Sequence, residues 1–279
     1  MTLLRSRLTR RPRVLESVAG RVVCENGFPQ DVRRPNRVAV LVHYSTSPKV
    51  GRSFRTMVRE FATNGYLTVV VSSCPAPARL DWQGALIPET IVLRKPNIGY
   101  DFGSWAVGLN MLPGVREADQ VILANDSMIG PFTPLSPFIE QFESTAAAGW
   151  AFTDTRQHFH HLQSYFLGFR GGVLAEKPLL GFWMNIRHEG SKWDVIRRNE
   201  LGLSRLLRRE GYPTAVAFHA DDVVAPGENP VIRGWWRLLE NGFPFVKREI
   251  ITNPAVAPRA DMVDSRVRAV FGAHLREWL

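Results

Sequence analysis

The sequence predicts an α/β fold, with a mostly parallel central sheet and flanking helices. Short apolar runs rich in β-branched residues recur at 38–44, 67–71 and 121–124. Runs without polar alternation are typical of parallel strands that are buried on both faces. A segment with helical spacing separates the first two runs, so strand, helix and strand form a right-handed βαβ unit.

The other elements of the first half follow from the same patterns. The segment after Pro48 has apolar residues at helical spacing from Phe54 to Phe61, and Asn64-Gly65 is typical of a helix C-terminus. A second helix is predicted from Ser104. The predicted elements of this half are strands at 38–44, 67–71, 91–93 and 121–127, and helices at 49–64 and 104–112.

The second half of the chain has a different pattern, with more aromatic residues and longer helical segments. Helices are predicted at 138–148, 174–187, 193–210 and 261–279, with a strand at the sheet edge at 149–153 and another strand at 163–170. Neither internal repeats nor low-complexity linkers are present. The predicted organisation is a basic tail and lead-in at 1–35, one domain at 36–255 and a helical tail at 256–279, the domain dividing into halves at 36–135 and 136–255.

Composition limits the class of protein. The formal charge is +9, from 35 basic and 26 acidic residues, which suits phosphorylated substrates or an anionic membrane face. No apolar run approaches the roughly 20 residues that cross a bilayer, and the basic N-terminus lacks the apolar core of a secretory signal. With two cysteines and no CxxC spacing, a disulfide framework is not expected, so the sequence favours the cytoplasm.

Basic residues are concentrated at the N-terminus. Arginines there would attract the anionic inner face of a membrane, at about 1 kcal/mol each; a solvated tail is the equal alternative. These arginines are Arg5, Arg7, Arg10, Arg11 and Arg13. The other basic residues form no continuous patch, so nucleic acid is not an expected partner. Phosphate-binding signatures of the GxxxxGK[ST] and GxGxxG types are also absent from the sequence.

Polar segments follow three of the predicted strands, at 97–103, 125–127 and 154–163. In a parallel sheet such segments gather at one edge, where open α/β folds bind ligands. In the second segment, Asp126 stands between an amide and a hydroxyl and could hold a divalent cation against a phosphate. The alternative is that Asn-Asp-Ser only starts a turn.

Three motifs in order carry a family resemblance. The segments RKPNIGYDFGSW at 94–105, LANDSMIGPF at 123–132 and HLQSYFL at 161–167 resemble the rhamnan synthesis F family. Members look like GT-A-fold glycosyltransferases of polysaccharide biosynthesis. Over residues 36–255, the resemblance implies a GT-A-like nucleotide-sugar-binding fold. It also implies inverting transfer of rhamnose or a related deoxysugar, from a donor such as dTDP-rhamnose, to a growing or lipid-linked glycan.

The resemblance implies a set of donor-binding residues. The segment 125–127 corresponds to the Asp-x-Asp metal motif of GT-A enzymes, but Asn125 and Ser127 replace its two carboxylates. Asp126 is therefore the single expected ligand for Mg²⁺ or Mn²⁺. Glycines in the first motif would let backbone approach the donor closely. The expected donor-binding residues are Asn97, Gly99, Asp101, Asn125, Asp126 and Ser127.

The resemblance also implies catalytic and acceptor-binding residues. The segment at 199–206 resembles the Glu-Asp-x-x-Leu helix start of inverting enzymes, with Leu201 in place of the second acid. Glu200 is thus the expected general base, although a helix-start glutamate can simply interact with the helix dipole. Asp154 is the second candidate for the base. The expected acceptor contacts are His161, Gln163 and Trp183, while a tryptophan in the core is the alternative for the last.

Two other functions are consistent with parts of the sequence. A non-catalytic sugar-binding or assembly subunit of a polysaccharide machine is the alternative. It would explain why the Asp-x-Asp and Glu-Asp-x-x-Leu motifs both lack one or more of their acidic residues here. A basic nucleic-acid-associated protein would require aromatic residues interleaved with basic ones along strands, and the sequence lacks such strands.

Overall fold

A computed structural model describes residues 11–27, 35–112 and 114–279 of the chain. Its strands are β1 Val23–Asn26, β2 Arg37–His43, β3 Leu67–Ser72, β4 Ile91–Arg94, β5 Gln120–Asn125, β6 Met128–Ile129, β7 Gly149–Thr155, β8 His161–Leu162, β9 Phe166–Arg170, β10 Thr214–Phe218 and β11 Val246–Lys247. Its helices are α1 Val14–Val18, α2 Arg52–Thr63, α3 Tyr100–Met111, α4 Ser136–Ser144, α5 Lys177–Met184, α6 Lys192–Val195, α7 Leu201–Arg209, α8 Pro230–Arg233, α9 Trp235–Glu240, α10 Arg248–Thr252 and α11 Val263–Phe271. A π-helical turn, Ile196–Glu200, joins α6 to α7.

The main sheet has the strand order β1-β4-β3-β2-β5-β9-β7-β10, and β8 pairs with β7 outside this path. The strands β4, β3, β2 and β5 are parallel to one another. Antiparallel β9 joins β5 to β7, and β1 is antiparallel to β4 at one edge. The predicted α/β class is confirmed, with a parallel centre inside a mixed sheet.

Helices cover both faces of this sheet. One hydrophobic cluster joins the sheet to α1, α3 and α5, and a second joins the opposite face to α2 and α4. Along α3, every residue from Phe102 to Leu109 is buried. Because strands of the parallel centre are covered on both sides, their sequences carry apolar residues without alternation.

Four predictions need correction. The helix predicted at 261–279 ends at Phe271, because Gly272 adopts φ +69° and terminates it. The strand predicted at the sheet edge is β7, which is buried along its whole length and pairs with β9 and β10 on its two sides. The sequence prediction missed β10, whose first residue is exposed and whose other four residues are partly buried. Helix α3 begins at Tyr100 rather than Ser104, because Gly99 adopts φ +87° and starts the helix four residues earlier.

Described parts of the lead-in and of the C-terminal tail pack against the domain. β1, from the predicted lead-in, pairs with β4. Near the other end, Trp278 packs in a third cluster with α9 and α11, and its carbonyl accepts a hydrogen bond from Ser53 Oγ at 2.8 Å. Three of the N-terminal arginines, Arg5, Arg7 and Arg10, lie outside the described residues.

The two described arginines of the basic N-terminus form ion pairs within the chain. Arg11 pairs with Glu189, whose side chain is almost fully buried, and Arg13 lies 3.2 Å from Glu16. Within the described ranges, the chain has no helix with the length and apolar character needed to span a bilayer.

The packing of α3 on the sheet depends on a missing side chain at Gly108. A Cβ atom there would lie 2.4 Å from Val40 Cγ1 on β2 and 3.2 Å from Val71 Cγ2 on β3. We expect Gly108→Ala to lower the free energy of unfolding by about 1–3 kcal/mol, because the buried valines cannot move aside. Chemical denaturation measures this change.

Gly181→Ala, in the interior of α5, is the matched control, since no atom beyond its chain neighbours and the backbone of its own helix lies within 4 Å of the added methyl group. Helix propensity alone predicts that this control stabilises the protein by about 1 kcal/mol. A Gly108→Ala protein as stable as the control would show that α3 does not pack on β2 as described.

Candidate functional site

The carboxyl ends of β2 to β5 open into a cavity of about 590 Å³, here named the first cavity. This is the edge at which open parallel sheets bind ligands, and the volume suits a small organic molecule. Its wall combines backbone, hydroxyl and carboxylate groups. The polar and aromatic lining residues include Tyr44, Ser73, Asn97, Tyr100, Asp101 and Asp126.

A second cavity of about 800 Å³ lies beside the first, and Tyr100 and Asp101 line both. The second cavity lies between the segment after β5, the β8–β9 region, and the two chain segments that contain α6 and α10. Its polar lining residues include Ser127, His161, Gln163, Glu200, Lys247 and Arg248. The shared residues make the two cavities parts of one continuous site.

A chain of hydrogen bonds crosses the boundary between the cavities. The Lys247 ammonium donates to Ser127 Oγ at 3.0 Å, and the Ser127 hydroxyl donates to Asn125 Oδ1 at 2.6 Å. The Asn125 amide donates to Asp101 Oδ2 at 2.8 Å. In each of these bonds the donor is on the Lys247 side and the acceptor is on the Asp101 side. We call this chain the hydrogen-bond relay, and it fixes the four side chains relative to one another.

Asp126 faces the first cavity, and its Oδ2 accepts the backbone N–H of Tyr44 at 2.7 Å. Burial raises the pKa of this carboxyl to about 7, and the negative charge of Asp101 adds to the effect. The Tyr44 hydrogen bond and the Arg248 charge oppose the rise. The pKa of Asp101 is also raised by burial, against the attraction of Lys247 and the hydrogen bond from Asn125.

The residues at this position do not fit a bound Mg²⁺ or Mn²⁺. Such ions prefer several carboxylate oxygens, whereas the Asn125 and Ser127 side chains are both engaged in the hydrogen-bond relay. Among the described residues, no group of three or more His, Cys, Asp or Glu side chains is arranged to hold a metal ion. Asp126 is left as an isolated carboxylate with one oxygen already bonded to Tyr44.

Glu200 lies on the wall of the second cavity, in the π turn between α6 and α7. Ser164 anchors its Oε2 twice, through the backbone N–H at 2.9 Å and through the hydroxyl. Its Oε1 lies 3.6 Å from His161 Nε2. Burial opposes ionisation, but the nearby His161 ring and the two hydrogen bonds from Ser164 outweigh it and lower the pKa of Glu200. The carboxylate is therefore ionised and fixed in place at neutral pH.

The model of the family described as rhamnan synthesis protein F matches residues 81–268, about two thirds of the chain. The chain belongs to this family. The matched region contains α3, β5, Glu200 and the β11 strand with Lys247, so it includes most of both cavities. Strands β2 and β3, which contribute Tyr44 and Ser73 to the first cavity, lie before the matched region.

Two relatives extend the comparison. The chain is 28% identical over 217 residues to the virulence protein VirA of Vibrio anguillarum, an alignment that covers 66% of this chain and 69% of that protein. It is 27% identical over 148 residues to the uncharacterized protein y4gN of Sinorhizobium fredii, covering 51% of this chain and 39% of that protein.

The site gathers most of the residues that the rhamnan synthesis F motifs single out. Asn97, Gly99 and Asp126 line the first cavity, and Asp101 lines both. The others at the second cavity are Asn125, Ser127, His161, Gln163 and Glu200. Gln163 is held by Thr153, which donates to its Oε1 at 2.7 Å, and its amide donates to Asn229.

The structure does not bring Asp154 and Trp183 into the cavities. Asp154 is buried, with Ala220 N–H at 2.7 Å on one oxygen and His160 Nε2 at 2.8 Å on the other. The Trp183 indole is fully buried and stacks on Phe102. Its position in the core removes it from any contact with an acceptor.

Gly99 and Gly103 in the first motif allow close packing against α1, and Gly99 also lines the first cavity. A Cβ on Gly99 would lie 2.5 Å from Val14 Cγ2, and one on Gly103 would lie 2.9 Å from Ile98 O and 3.1 Å from Val14 Cγ1. Close approach of α1, rather than of a ligand, therefore accounts for Gly103. Gly99 lines the first cavity and also accommodates Val14.

Sequence reasoning missed several residues of the site. Lys247 and Arg248 come from β11 and the start of α10, in the segment FPFVKRE, which carries no recognised motif. Trp193 is 51% exposed and lines the second cavity beside the His158 ring. The sequence signalled only the helix that carries Trp193, because Ser191 is its N-cap and accepts the Asp194 N–H at 3.1 Å.

The raised pKa of Asp126 predicts a measurable titration. In protein labelled with ¹³C at aspartate carboxyls, we expect the Asp126 signal, assigned with Asp126→Asn, to titrate near pH 7. Asp101→Asn should lower this midpoint, because it removes a negative charge. Arg248→Gln should raise it, because it removes a positive one. A wild-type midpoint near the ordinary value of 3.8 would contradict the described burial of this carboxyl.

Proposed function

We propose that the protein is a glycosyltransferase that moves a sugar from a nucleotide donor to a growing glycan. The observation that carries the proposal is the junction of the two cavities at Asp101, with an anchored carboxylate, Glu200, on the wall of the second. The parallel strands that end at the first cavity support a GT-A-like arrangement. Membership of the rhamnan synthesis F family supports rhamnose or a related deoxysugar, as in dTDP-rhamnose, as the transferred group.

The first cavity suits the nucleoside part of the donor. Asn97 and Asp101 offer hydrogen-bonding groups for base or ribose, and the exposed Tyr100 ring adds an aromatic surface. The diphosphate then lies at the boundary between the cavities, near Ser127 and Lys247, and the sugar enters the second cavity. Nucleoside, diphosphate and sugar would then follow one another from the first cavity to the second, in the order in which they are linked in a nucleotide sugar.

The second cavity suits a glycan acceptor. Trp193 presents an exposed indole at this cavity, and aromatic faces pack well against the apolar faces of sugar rings. His161 and Gln163 add polar groups that can bind sugar hydroxyls. An acceptor linked to a lipid carrier would present its terminal sugar in the same way.

Glu200 is the general base in this proposal. An acceptor hydroxyl attacks the anomeric carbon, and its proton passes to the Glu200 carboxylate as the new carbon–oxygen bond forms. The bond from the anomeric carbon to the phosphate oxygen breaks, and its electron pair leaves with the nucleoside diphosphate. A single displacement of this kind inverts the anomeric configuration.

Replacing the base tests the catalytic role. We expect Glu200→Gln to lower turnover of a nucleotide-sugar donor by about 100- to 10,000-fold, the usual contribution of a general base. Donor binding should persist. Transfer and donor hydrolysis are measured across a panel of nucleotide sugars that includes dTDP-rhamnose, with Glu210→Gln, at the exposed end of α7, as the matched control.

The outcomes separate the alternatives. Full turnover in Glu200→Gln would refute the assignment of the base while leaving the transferase class in place. Nucleotide-sugar binding by the wild type, with no turnover for any acceptor, would favour a non-catalytic sugar-binding subunit. If no nucleotide sugar binds, the transferase proposal is wrong.

A substitution at Ser164 tests whether its hydrogen bonds set the pKa of Glu200. Its hydrogen bonds help to lower the pKa of Glu200, so Ser164→Ala should raise that pKa. Protonated Glu200 cannot accept a proton, and the acid limb of the pH–rate profile should therefore move to higher pH in this variant. An unchanged acid limb would mean that Glu200 does not control it.

A further inference from the structure

Lys247 and Arg248 stand at the boundary between the two cavities. β11 pairs with β6 so that Lys247 lies opposite Met128, one residue beyond Ser127. The Arg248 backbone N–H donates to Ser127 O at 3.0 Å, and its guanidinium Nε lies 3.4 Å from Asp126 O. Two consecutive cationic side chains are thereby fixed against the Asn-Asp-Ser segment.

The Lys247 side chain lies beside the segment that corresponds to the Asp-x-Asp motif. It donates to the Oγ of Ser127, the residue that replaces the last carboxylate of the Asp-x-Asp motif. A lysine ammonium has three N–H donors, and Ser127 takes one of them. The Tyr165 ring centroid lies 5.7 Å from Nζ and borders the ammonium with an aromatic face.

Both side chains line the second cavity, together with Ser127 and Asp101. Burial lowers the pKa of Lys247, whereas the negative charges of Glu200 and Asp101 oppose the fall and favour the ammonium form. Among the described residues its Nζ donates to Ser127, so other N–H donors remain for a ligand. Arginine and lysine bind phosphate oxygens through strong charge-assisted hydrogen bonds. The donor set on this wall consequently matches a diphosphate better than it matches a divalent metal ion.

We propose that Lys247 and Arg248 bind the diphosphate of the nucleotide donor in place of a divalent cation, so that donor binding is independent of metal. This inference rests on the proposed function, because it takes a nucleotide-linked sugar as the ligand. During transfer, the same two side chains stabilise the negative charge that develops on the departing nucleoside diphosphate.

Calorimetric titration of the full chain with dTDP, UDP and GDP tests the proposal, first in EDTA and then in Mg²⁺ or Mn²⁺. The wild type should bind at least one of these nucleotides in EDTA, with little gain from either metal. Lys247→Met and Arg248→Gln should each weaken that binding by about 10- to 100-fold, the usual effect of losing a charge-assisted hydrogen bond.

Two further variants serve as controls. Lys247→Arg keeps the charge and should retain most of the affinity, which separates loss of the cation from a disturbance of β11. Lys177→Met, at the exposed start of α5, removes an equivalent charge from a residue that lines neither cavity and should bind like the wild type. Circular dichroism and melting temperature report whether each variant is folded.

Each result has a definite meaning. Binding that requires Mg²⁺ or Mn²⁺, or binding in EDTA that neither Lys247→Met nor Arg248→Gln weakens, would overturn the inference and leave the proposed function standing. Absence of nucleoside diphosphate binding in both buffers would overturn the inference and the proposed function together. Weakened binding in Lys247→Met and Arg248→Gln but not in Lys177→Met would support both.

Discussion

The hydrogen-bond relay from Lys247 through Ser127 and Asn125 to Asp101 is the constraint on which the site depends. Asn125 is buried and the other three members are partly buried, and each donor orients the next member of the relay. Removing one member would leave its neighbour without a hydrogen bond, at a cost of about 1 kcal/mol. The relay therefore holds the boundary between the two cavities in one arrangement.

The fold brings the members of this relay together from distant parts of the chain. Asp101 lies in the first turn of α3, which the sheet positions through packing at Gly108, while Asn125 ends the parallel strand β5. Lys247 arrives through the short pairing of β11 with β6. On the far wall, the π turn directs Glu200 toward Ser164, and π turns of this kind are frequent at functional sites.

The parallel centre of the sheet could be predicted, and most of the predicted site residues line the two cavities, because both depend on local patterns and on polar residues at strand ends. The features that could not be predicted depend on pairing between distant parts of the chain. Neither β10 nor the Lys247–Ser127 contact has a local signal, since each depends on a partner more than sixty residues away. Trp183 and Trp193 have similar local propensities, but only packing determines that the first is in the core.

A structure of the protein with a bound nucleoside diphosphate tests the central claim most directly. We expect the nucleoside to occupy the first cavity, with diphosphate oxygens within hydrogen-bonding distance of Lys247 Nζ or the Arg248 guanidinium. We also expect the second cavity to stay open toward Glu200. A nucleotide bound elsewhere, or a diphosphate held at Asp126 through a metal ion and out of reach of Lys247 and Arg248, would contradict this claim.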